Sequence, residues 1–454
     1  MDYAREKEKW YKQFMGSSVA EQYTLVMDLL RNQPDDEMLI NDDFGIILVD
    51  LKEGLFRRKR FDDTIELIDV LKVNTPQFYA EEVNYLSDAP IQYYLYKNDI
   101  EKVREYFQAY IGNPSKAPEV FIHLFNKLLL YKQTDLAIEI AEAVWRKIAE
   151  SPDLIYGAEG DFKEAIINQE FQEYYLSLLS DSGNSDVKLI QMKKKFEGLN
   201  VAPGFLDKSL PLALTALKRI SEREAGPVFE KKDWDTHLEA APSDAVYQLS
   251  WAFAAYMLFG KKIPFTASLK IWREFLKVLT VSKAGGVSFD LNTSDFKQET
   301  GDLLTGIGTG ETGFMLLWGL PYIYDFLEQE QLIAQDVKQE ALNTIQAGKN
   351  DAIKYYSSQL WRFNFVHVWE KPDCITEEEF TGEKAMFRET FTSLPEMDDK
   401  PAFSNFNGYL SSESKSLFDN APFGNKSGSK RKGPSKKQKT KKRKDAKKQR
   451  RKNR

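Results

Sequence analysis

The stretch LFRRKRFDDTIELIDVL, which begins at Leu55, decides how the first part of this chain folds. Its apolar residues recur every three or four positions on either side of a basic, polar run, which is typical of two amphipathic helices joined by a short turn. Two later stretches repeat the arrangement, namely LYKNDIEKVREYFQAYI from Leu95 and LLYKQTDLAIEIAEAVW from Leu129. Each of the three stretches therefore predicts a helical hairpin.

The three predicted hairpins resemble the inter-helix turn and second helix of the tetratricopeptide repeat. In that family a small residue lies near the start of the second helix, and a large apolar residue follows four positions later. The corresponding pairs here are Thr64 with Ile68, Val103 with Phe107, and Ala137 with Ala141. The first members of these pairs are spaced by 39 and 34 residues, close to the period of the family.

Three departures from the family pattern accompany this resemblance, which covers about residues 40 to 150. Val103 is larger than the usual residue, Ala141 is smaller, and all three turns lack the usual glycine. An irregular stack of helical hairpins with no family relation is the alternative. Either arrangement exposes extended surfaces that suit a protein partner better than a closed catalytic pocket would.

The same apolar spacing continues to about Trp369, so the sequence predicts an all-α fold of stacked helical hairpins, similar to an α-solenoid. Residues 151–161 are rich in Gly, Pro and Asp and predict a boundary between a repeat region, 1–150, and a second helical region, 161–369. Residues 370–425 lose the periodicity and predict an acidic, mostly disordered linker. A disordered basic tail, 426–454, follows.

The charge of the chain is divided sharply between this tail and the rest. Residues 426–454 contain 17 Lys and Arg but only one acidic residue, Asp445. Removing the tail's +16 from the chain's net charge of −6 leaves −22 on residues 1–425. Block charge of this kind is typical of a segment that binds phosphate or an acidic protein surface.

The tail predicts sequence-tolerant binding to the phosphate backbone of RNA or of a ribonucleoprotein. Lys outnumbers Arg by 12 to 5, and no aromatic residue follows Gly424. Lysine lacks the planar fork that reads guanine edges, and without aromatic rings no base can stack. The candidate binding residues are Lys430, Arg431, Lys432, Lys436, Lys437, Lys439, Lys441, Lys442, Arg443, Lys444, Lys447, Lys448, Arg450, Arg451, Lys452 and Arg454.

Two other interpretations of the tail remain open. The run from Lys441 to Lys444 fits a short nuclear-import signal, with a second basic cluster at Lys430–Lys432. A purely solubilising tail is the third interpretation.

Three glycines, Gly308, Gly310 and Gly313, have the spacing of a dinucleotide-binding loop. That loop requires a preceding strand, whereas residues 302–307 offer only a short apolar segment that contains Gly306. No βαβ pattern follows, and no Lys follows the glycines as a nucleotide triphosphate loop requires. We therefore expect a turn here, with a nucleotide-binding enzyme as the less favoured alternative.

The alternating residues Asp233, Asp235, His237 and Glu239 would share one face of a strand and could then hold a metal ion. In a helix they separate into two i, i+4 pairs, so a solvated helix or loop is the expectation. Residues 290–301 begin like a calcium loop, but Asp295 and Gly301 occupy the positions that require Gly and Glu, which excludes that loop.

The remaining chemistry-bearing residues are few. The three histidines, His123, His237 and His367, lie far apart, and His123 falls in an apolar helical stretch typical of a core position. The single cysteine, Cys374, excludes an intramolecular disulfide and suits a reducing compartment. The sequence predicts no cofactor, no metal and no catalytic residue.

The N-terminus, with its alternating charges, does not look like a secretory signal, and the longest apolar runs fall short of a membrane span. We therefore expect a cytoplasmic protein with no membrane partner, or a nuclear one in a eukaryotic source. Taken together, the hairpins and the tail predict a non-enzymatic adaptor that brings a protein partner to RNA. An import-tagged scaffold is the alternative.

Overall fold

The computed structural model describes residues 3–393 except 153, 155–156, 181–183, 224–226, 228–234, 237–239, 282–286, 292 and 307–308. The predicted basic tail and most of the predicted linker lie outside these residues. The described residues form helices joined by short turns, together with one two-stranded sheet. The predicted all-α fold is thus confirmed.

The N-terminal part contains ten helices in the described residues. Their starts follow ordinary capping rules: Ser18 and Glu21 form a reciprocal capping box, and Pro76 and Pro118 occupy the first turns of their helices. The helices are α1 (Tyr3–Gly16), α2 (Val19–Arg31), α3 (Asp36–Asn41), α4 (Gly45–Arg57), α5 (Phe61–Asn74), α6 (Pro76–Leu86), α7 (Asp88–Lys97), α8 (Ile100–Gly112), α9 (Pro118–Leu130) and α10 (Thr134–Ala149).

The three predicted hairpins are α4 with α5, α7 with α8, and α9 with α10. Their turns share one geometry, because Lys59, Asn98 and Lys132 each adopt the left-handed conformation with φ of 58°. Each turn also closes with the same two backbone hydrogen bonds, in which residues such as Asn98 and Asp99 donate to Leu95 and Tyr94. These three residues take the conformation that glycine adopts most easily, although none of them is glycine.

The first helix of the second hairpin is bent. Helices α6 and α7 meet at Ser87, which belongs to the cap of both. Pro90, in the first turn of α7, has no N–H to donate to the carbonyl of Leu86, so the helix cannot continue straight. The bend is the main irregularity in the repeat-like array, and it accompanies the longer spacing of 39 residues.

The C-terminal part is also helical. Helix α17 is its centre, because its residues from Gly313 to Leu327 are buried on every side, including Pro321. The elements are α11 (Gly160–Leu179), α12 (Ser185–Gly198), a π-helical turn (Phe205–Ser209), α13 (Leu210–Ser221), α14 (Pro242–Lys261), α15 (Phe265–Lys277), β1 (Leu279–Val281), β2 (Val287–Leu291), α16 (Thr293–Thr305), α17 (Gly310–Gln329), α18 (Gln335–Tyr355), a 3₁₀ segment (Leu360–His367) and α19 (Glu377–Thr392).

The two strands pair antiparallel, with Thr280 opposite Ser288 and Val281 opposite Val287. Tyr324 of α17 donates its hydroxyl to the carbonyl of Phe289, which ties the small sheet to the central helix.

The hydrophobic core does not divide where the sequence predicted. One cluster of buried residues runs from Trp10 to Leu86, and a second runs from Ile91 to Phe387 across the predicted boundary at 151–161. Within the second cluster α10 packs on α11, and the rings of Phe121 and Phe162 lie 5.1 Å apart. The described residues form one compact unit, and the cores meet near α6 and α7 instead.

The predicted start of a disordered linker at residue 370 is wrong for residues 370–393. Thr376 and Glu379 form a capping box that starts α19, and the helix buries Phe387 and Thr390 against the rest of the protein. These few contacts are enough to order a helix whose other positions are mostly polar and exposed. The rest of the predicted linker lies outside the described residues.

Candidate functional site

The first helices of the three hairpins, α4, α7 and α9, make up the face that a partner would use in a repeat protein. In this structure the chain's own C-terminal segment covers that face. The 3₁₀ segment lies against α7 and α9, and α19 packs on the 3₁₀ segment. The predicted partner-binding surface is therefore already occupied here by residues 360–393.

An aromatic cluster forms one half of this contact. The indole of Trp361 is 2% exposed and lies 5.3 Å from the ring of Phe56 and 5.2 Å from that of Phe61. Phe391 of α19 stacks on Tyr96 at 4.2 Å and on Phe61 at 5.2 Å. Aromatic pairs at these distances contribute more than their buried area alone, so the cluster holds the segment firmly.

A network of buried polar groups forms the other half of the contact between the hairpins and the C-terminal segment. The amide oxygen of Gln92 accepts hydrogen bonds from Lys127 at 2.9 Å and from Arg362 at 3.1 Å. Lys127 also donates to Glu311 at 3.0 Å, and His123 Nε2 lies 3.3 Å from the same carboxylate oxygen. The network thereby links α7, α9, α17 and the 3₁₀ segment.

The charges in this network depend on one another. Burial works to raise the pKa of Glu311, but the adjacent Lys127 and His123 outweigh it, and the pKa lies well below its ordinary value. Burial lowers the pKa of Lys127, and Glu311 offsets only part of that effect. Because both side chains are buried, removal of either one leaves an uncompensated charge.

The hairpin array also has an open groove, which is lined by α5, α6 and α8 and not by the covered helices α4, α7 and α9. The second helices α5 and α8 border it, and α6 forms its floor up to the bend at Ser87. The groove has a volume of about 440 Å³. Tyr79, Tyr106 and Val83 supply its apolar walls, and Asp69, Lys72 and Glu105 lie among its polar lining residues.

The groove has an acidic character near its tyrosines. Among the described residues Asp69 has no ion-pair partner, whereas Lys72 lies 4.0 Å from Glu105. Burial and then the charge of Asp69 raise the pKa of both Tyr79 and Tyr106. A cation placed here would meet a free carboxylate and the faces of two aromatic rings.

The glycine motif has a packing role in the structure. Gly308 lies outside the described residues, and α16 precedes the motif where a dinucleotide loop would have a strand. A Cβ on Gly310 would lie 2.6 Å from the hydroxyl of Tyr356, and one on Gly313 would lie 3.0 Å from Leu304. Both glycines let α17 approach its neighbours closely, and the carboxylate of Glu311 occupies the first turn of that helix.

The other sequence candidates do not come together. Asp233, His237 and Glu239 lie outside the described residues, and Asp235 is exposed. His123 is half-buried beside Glu311, whereas His367 is buried beside Glu383. Burial, followed by the charge of Asp325, raises the pKa of Cys374 to about 12, which keeps the thiol protonated.

Sequence reasoning missed Trp361, Arg362 and Phe391, which fill the hairpin face. The run LWRFNFVHVW from Leu360 was a signal in the sequence, because five of its ten residues are aromatic or His in a segment without a clear helical period. Its partner surface, however, lies some 270 residues away along the chain, which no local pattern reveals.

The described residues contain neither a candidate metal site nor a candidate membrane span. In that part of the chain no group of three or more His, Cys, Asp and Glu side chains is placed to hold a metal ion. Likewise, none of the helices described is long and apolar enough to cross a membrane.

Comparison with known proteins gives no relative, since no family model, no curated protein and no solved structure matches this chain. None of these comparisons tests the resemblance to the tetratricopeptide repeat. The family relation stays a prediction.

Proposed function

We propose that this protein is a non-enzymatic adaptor, which binds a protein partner through its helical body and RNA or a ribonucleoprotein through its Lys-rich tail. The separation of charge carries the proposal. Residues 426–454 contain seventeen basic residues and one acidic residue, whereas residues 1–425 carry a net charge of −22. A body of that charge repels nucleic acid, so the tail is the part of the chain suited to bind it.

Binding by the tail would be electrostatic. If about eight phosphates were neutralised, the logarithm of affinity would fall with the logarithm of salt concentration with a slope of about −7 on a duplex and about −6 on a single strand. The absence of aromatic residues after Gly424 means that base identity would matter little.

The open groove of α5, α6 and α8 is the surface that we assign to the protein partner. Its free Asp69 carboxylate and its tyrosines favour an extended peptide that presents a Lys or Arg side chain. The face of α4, α7 and α9 is a poorer candidate, because residues 360–393 already fill it.

The first test is RNA binding by three forms of the protein: the full chain, a chain that ends at Asn425, and a full-length chain whose tail residues are shuffled. We expect the full and shuffled chains to bind single-stranded RNA with equal affinity and a steep salt slope, and the shortened chain to bind at least about a hundredfold more weakly at low salt. Equal binding by the full and shortened chains would refute the role of the tail.

The same chains separate the adaptor from an import-tagged scaffold. If the sequence from Lys441 to Lys444 serves import, the tail directs nuclear accumulation in eukaryotic cells, while ultraviolet crosslinking recovers no RNA from the full chain. RNA crosslinks that depend on the tail favour the adaptor.

The groove is tested separately. A photo-crosslinking residue at the exposed position Gln108 would capture the partner, and Ala80→Arg would place a bulky cation in the groove and abolish the capture. Ala20→Arg, an equally exposed alanine on α2, is the matched control and should leave the crosslink unchanged. A crosslink that survives Ala80→Arg would place the partner elsewhere.

A further inference from the structure

A second pocket, which the adaptor function does not use, lies between α17, α18 and α19. Its volume is about 310 Å³, which is at the small end of the range for ligand pockets. Apolar and aromatic side chains form most of its wall, among them Trp318, Tyr322 and Phe380. Three charged side chains also line it, namely Lys349, Glu379 and Glu383.

Both carboxylates of the pocket already have partners. Glu383 Oε1 accepts a hydrogen bond from the indole of Trp318 and a second one, of 2.9 Å, from Nε2 of the buried His367. Glu379 accepts hydrogen bonds from the backbone and hydroxyl of Thr376 at 3.0 and 2.7 Å, as the capping box of α19 requires. Both carboxylates therefore have hydrogen-bond donors of their own, and the charge of Lys349 adds to their stabilisation.

The ammonium group of Lys349 is poorly satisfied by comparison. Its side chain is only 5% exposed, and the nearest carboxylate oxygen in the described residues, Glu383 Oε2, lies 3.7 Å away, beyond hydrogen-bond distance. The ammonium nitrogen lies 4.8 Å from the centre of the Trp318 ring. No described residue accepts a hydrogen bond from this ammonium.

A buried ammonium whose one ion-pair partner lies 3.7 Å away is costly, and a closer acceptor in the pocket would lower that cost. Burial lowers the pKa of Lys349, and Glu383 offsets only part of this effect, in keeping with the missing acceptors. An oxygen anion in the pocket would accept from Lys349 directly. A dianion such as phosphate is disfavoured, because two carboxylates line the same pocket.

We propose that this pocket binds small monocarboxylates with an apolar body. The carboxylate accepts hydrogen bonds from Lys349, and the apolar body packs against Trp318, Tyr322 and Phe380. A molecule of about ten heavy atoms suits the volume, and at that size a dissociation constant on the order of 1 mM or tighter is expected.

Calorimetric titration of the full chain with phenylacetate tests the proposal, with 2-phenylethanol as the uncharged probe that keeps the ring and two-carbon chain but has a hydroxyl in place of the carboxylate. We expect phenylacetate to bind with a stoichiometry of one and 2-phenylethanol to bind at least about tenfold more weakly. Equal affinity for the two probes, or no phenylacetate binding at concentrations up to about 10 mM, overturns the proposal.

Two variants locate the binding. Lys349→Met removes the ammonium and should weaken phenylacetate binding at least about tenfold, whereas Lys354→Met, at an exposed lysine of the same helix, should leave it unchanged. Gly382→Leu provides a test that does not touch Lys349. Gly382 lines the pocket, and a Cβ on it would meet open space, so we expect a leucine there to narrow the pocket.

The Gly382→Leu variant should fold at least as well as the natural chain, since leucine favours a helix more than glycine does. We expect it to bind no phenylacetate. Binding at natural affinity by a folded Gly382→Leu protein would overturn the proposal, even if Lys349→Met failed to fold.

Discussion

The C-terminal segment meets the hairpins through two contacts of opposite chemistry. Around Trp361 the contact consists of aromatic rings, whereas around Lys127 it consists of buried charges and amides. Aromatic rings tolerate some change of angle, and we expect them to supply most of the free energy of docking. Buried charges supply less net stability, but they penalise any arrangement that separates a charge from its partner.

The comparison explains how one segment can be both firmly held and placed in a single position. The aromatic cluster accounts for the strength of docking. The network of Gln92, Lys127, Glu311 and Arg362 fixes which part of α17 and of the 3₁₀ segment lies against α7 and α9. Three predictions test this division of roles, and a fourth tests the turns of the hairpins that the segment covers.

The largest effect should come from the aromatic contact. Trp361→Ala removes the ring that touches Phe56, Phe61 and Phe391, and should reduce the free energy of unfolding by about 4 kcal/mol in chemical denaturation. Hydrogen exchange should become faster throughout α19, which packs on the same ring. Trp145→Ala, on α10 away from this contact, should leave exchange in α19 unchanged, and a similar acceleration in both variants would contradict the assignment.

The charged contact should give the next largest effect, and the double variant should recover most of it. Glu311→Gln leaves Lys127 buried without a counter-ion and should cost about 3 kcal/mol of unfolding free energy. Lys127→Met added to Glu311→Gln removes the orphaned charge and should recover most of that loss. If the double variant is no more stable than Glu311→Gln, the two groups do not act as a pair.

Acid should weaken the charged contact selectively. The pKa of Glu311 in the folded protein lies well below the ordinary value of 4.5, so its contribution is fully present above that value and is lost as the pH falls below it. Between about pH 5 and pH 2.5 the natural protein should therefore lose more unfolding free energy than the double variant Lys127→Met, Glu311→Gln. Equal losses in the two proteins would assign the acid sensitivity to other carboxylates.

The smallest effect concerns the turns of the hairpins. Lys132→Gly should raise the unfolding free energy by about 0.5 to 1 kcal/mol, because glycine adopts the left-handed conformation without strain. Asn98→Gly should gain less, since asparagine tolerates that conformation better than lysine does. A loss of stability in Lys132→Gly would mean that the lysine side chain has a packing role that outweighs the strain.

The hairpins were predictable from the sequence because the information is local. The apolar spacing and the polar turns lie within some 17 residues, and the positions of Thr64, Val103 and Ala137 mark the same point in each second helix. The turns lack the glycine of the family pattern, but they still adopt the conformation that glycine favours. Lysine and asparagine take up the same left-handed conformation there, at some cost in free energy.

Helix α19 was missed because its apolar residues are sparse. Phe380, Phe387 and Phe391 are separated by seven and four residues, which gives a narrow stripe on an otherwise charged helix. The capping box of Thr376 and Glu379 is the sequence pattern that indicates where α19 begins. The boundary predicted at 151–161 failed for the opposite reason, because a polar loop can connect two helices that share one core.

The pocket around Lys349 and the cover on the hairpin face could not be predicted at all. Both arise from contacts between helices that are remote in sequence, such as Lys127 with Glu311 or Trp369 with the carbonyl of Leu130. Periodicity shows that a residue is buried, but it does not show which residue lies beside it.

The distance along the chain between Phe61 and Trp361 has a consequence for synthesis. Three hundred residues separate the aromatic face of the hairpins from the segment that covers it. At about 5 to 20 residues per second, a ribosome needs roughly 15 to 60 seconds to make them. Once the hairpins have emerged, Phe56, Phe61 and Tyr96 lack their cover for the rest of that interval, so the nascent chain offers a transient aromatic surface that chaperones can bind.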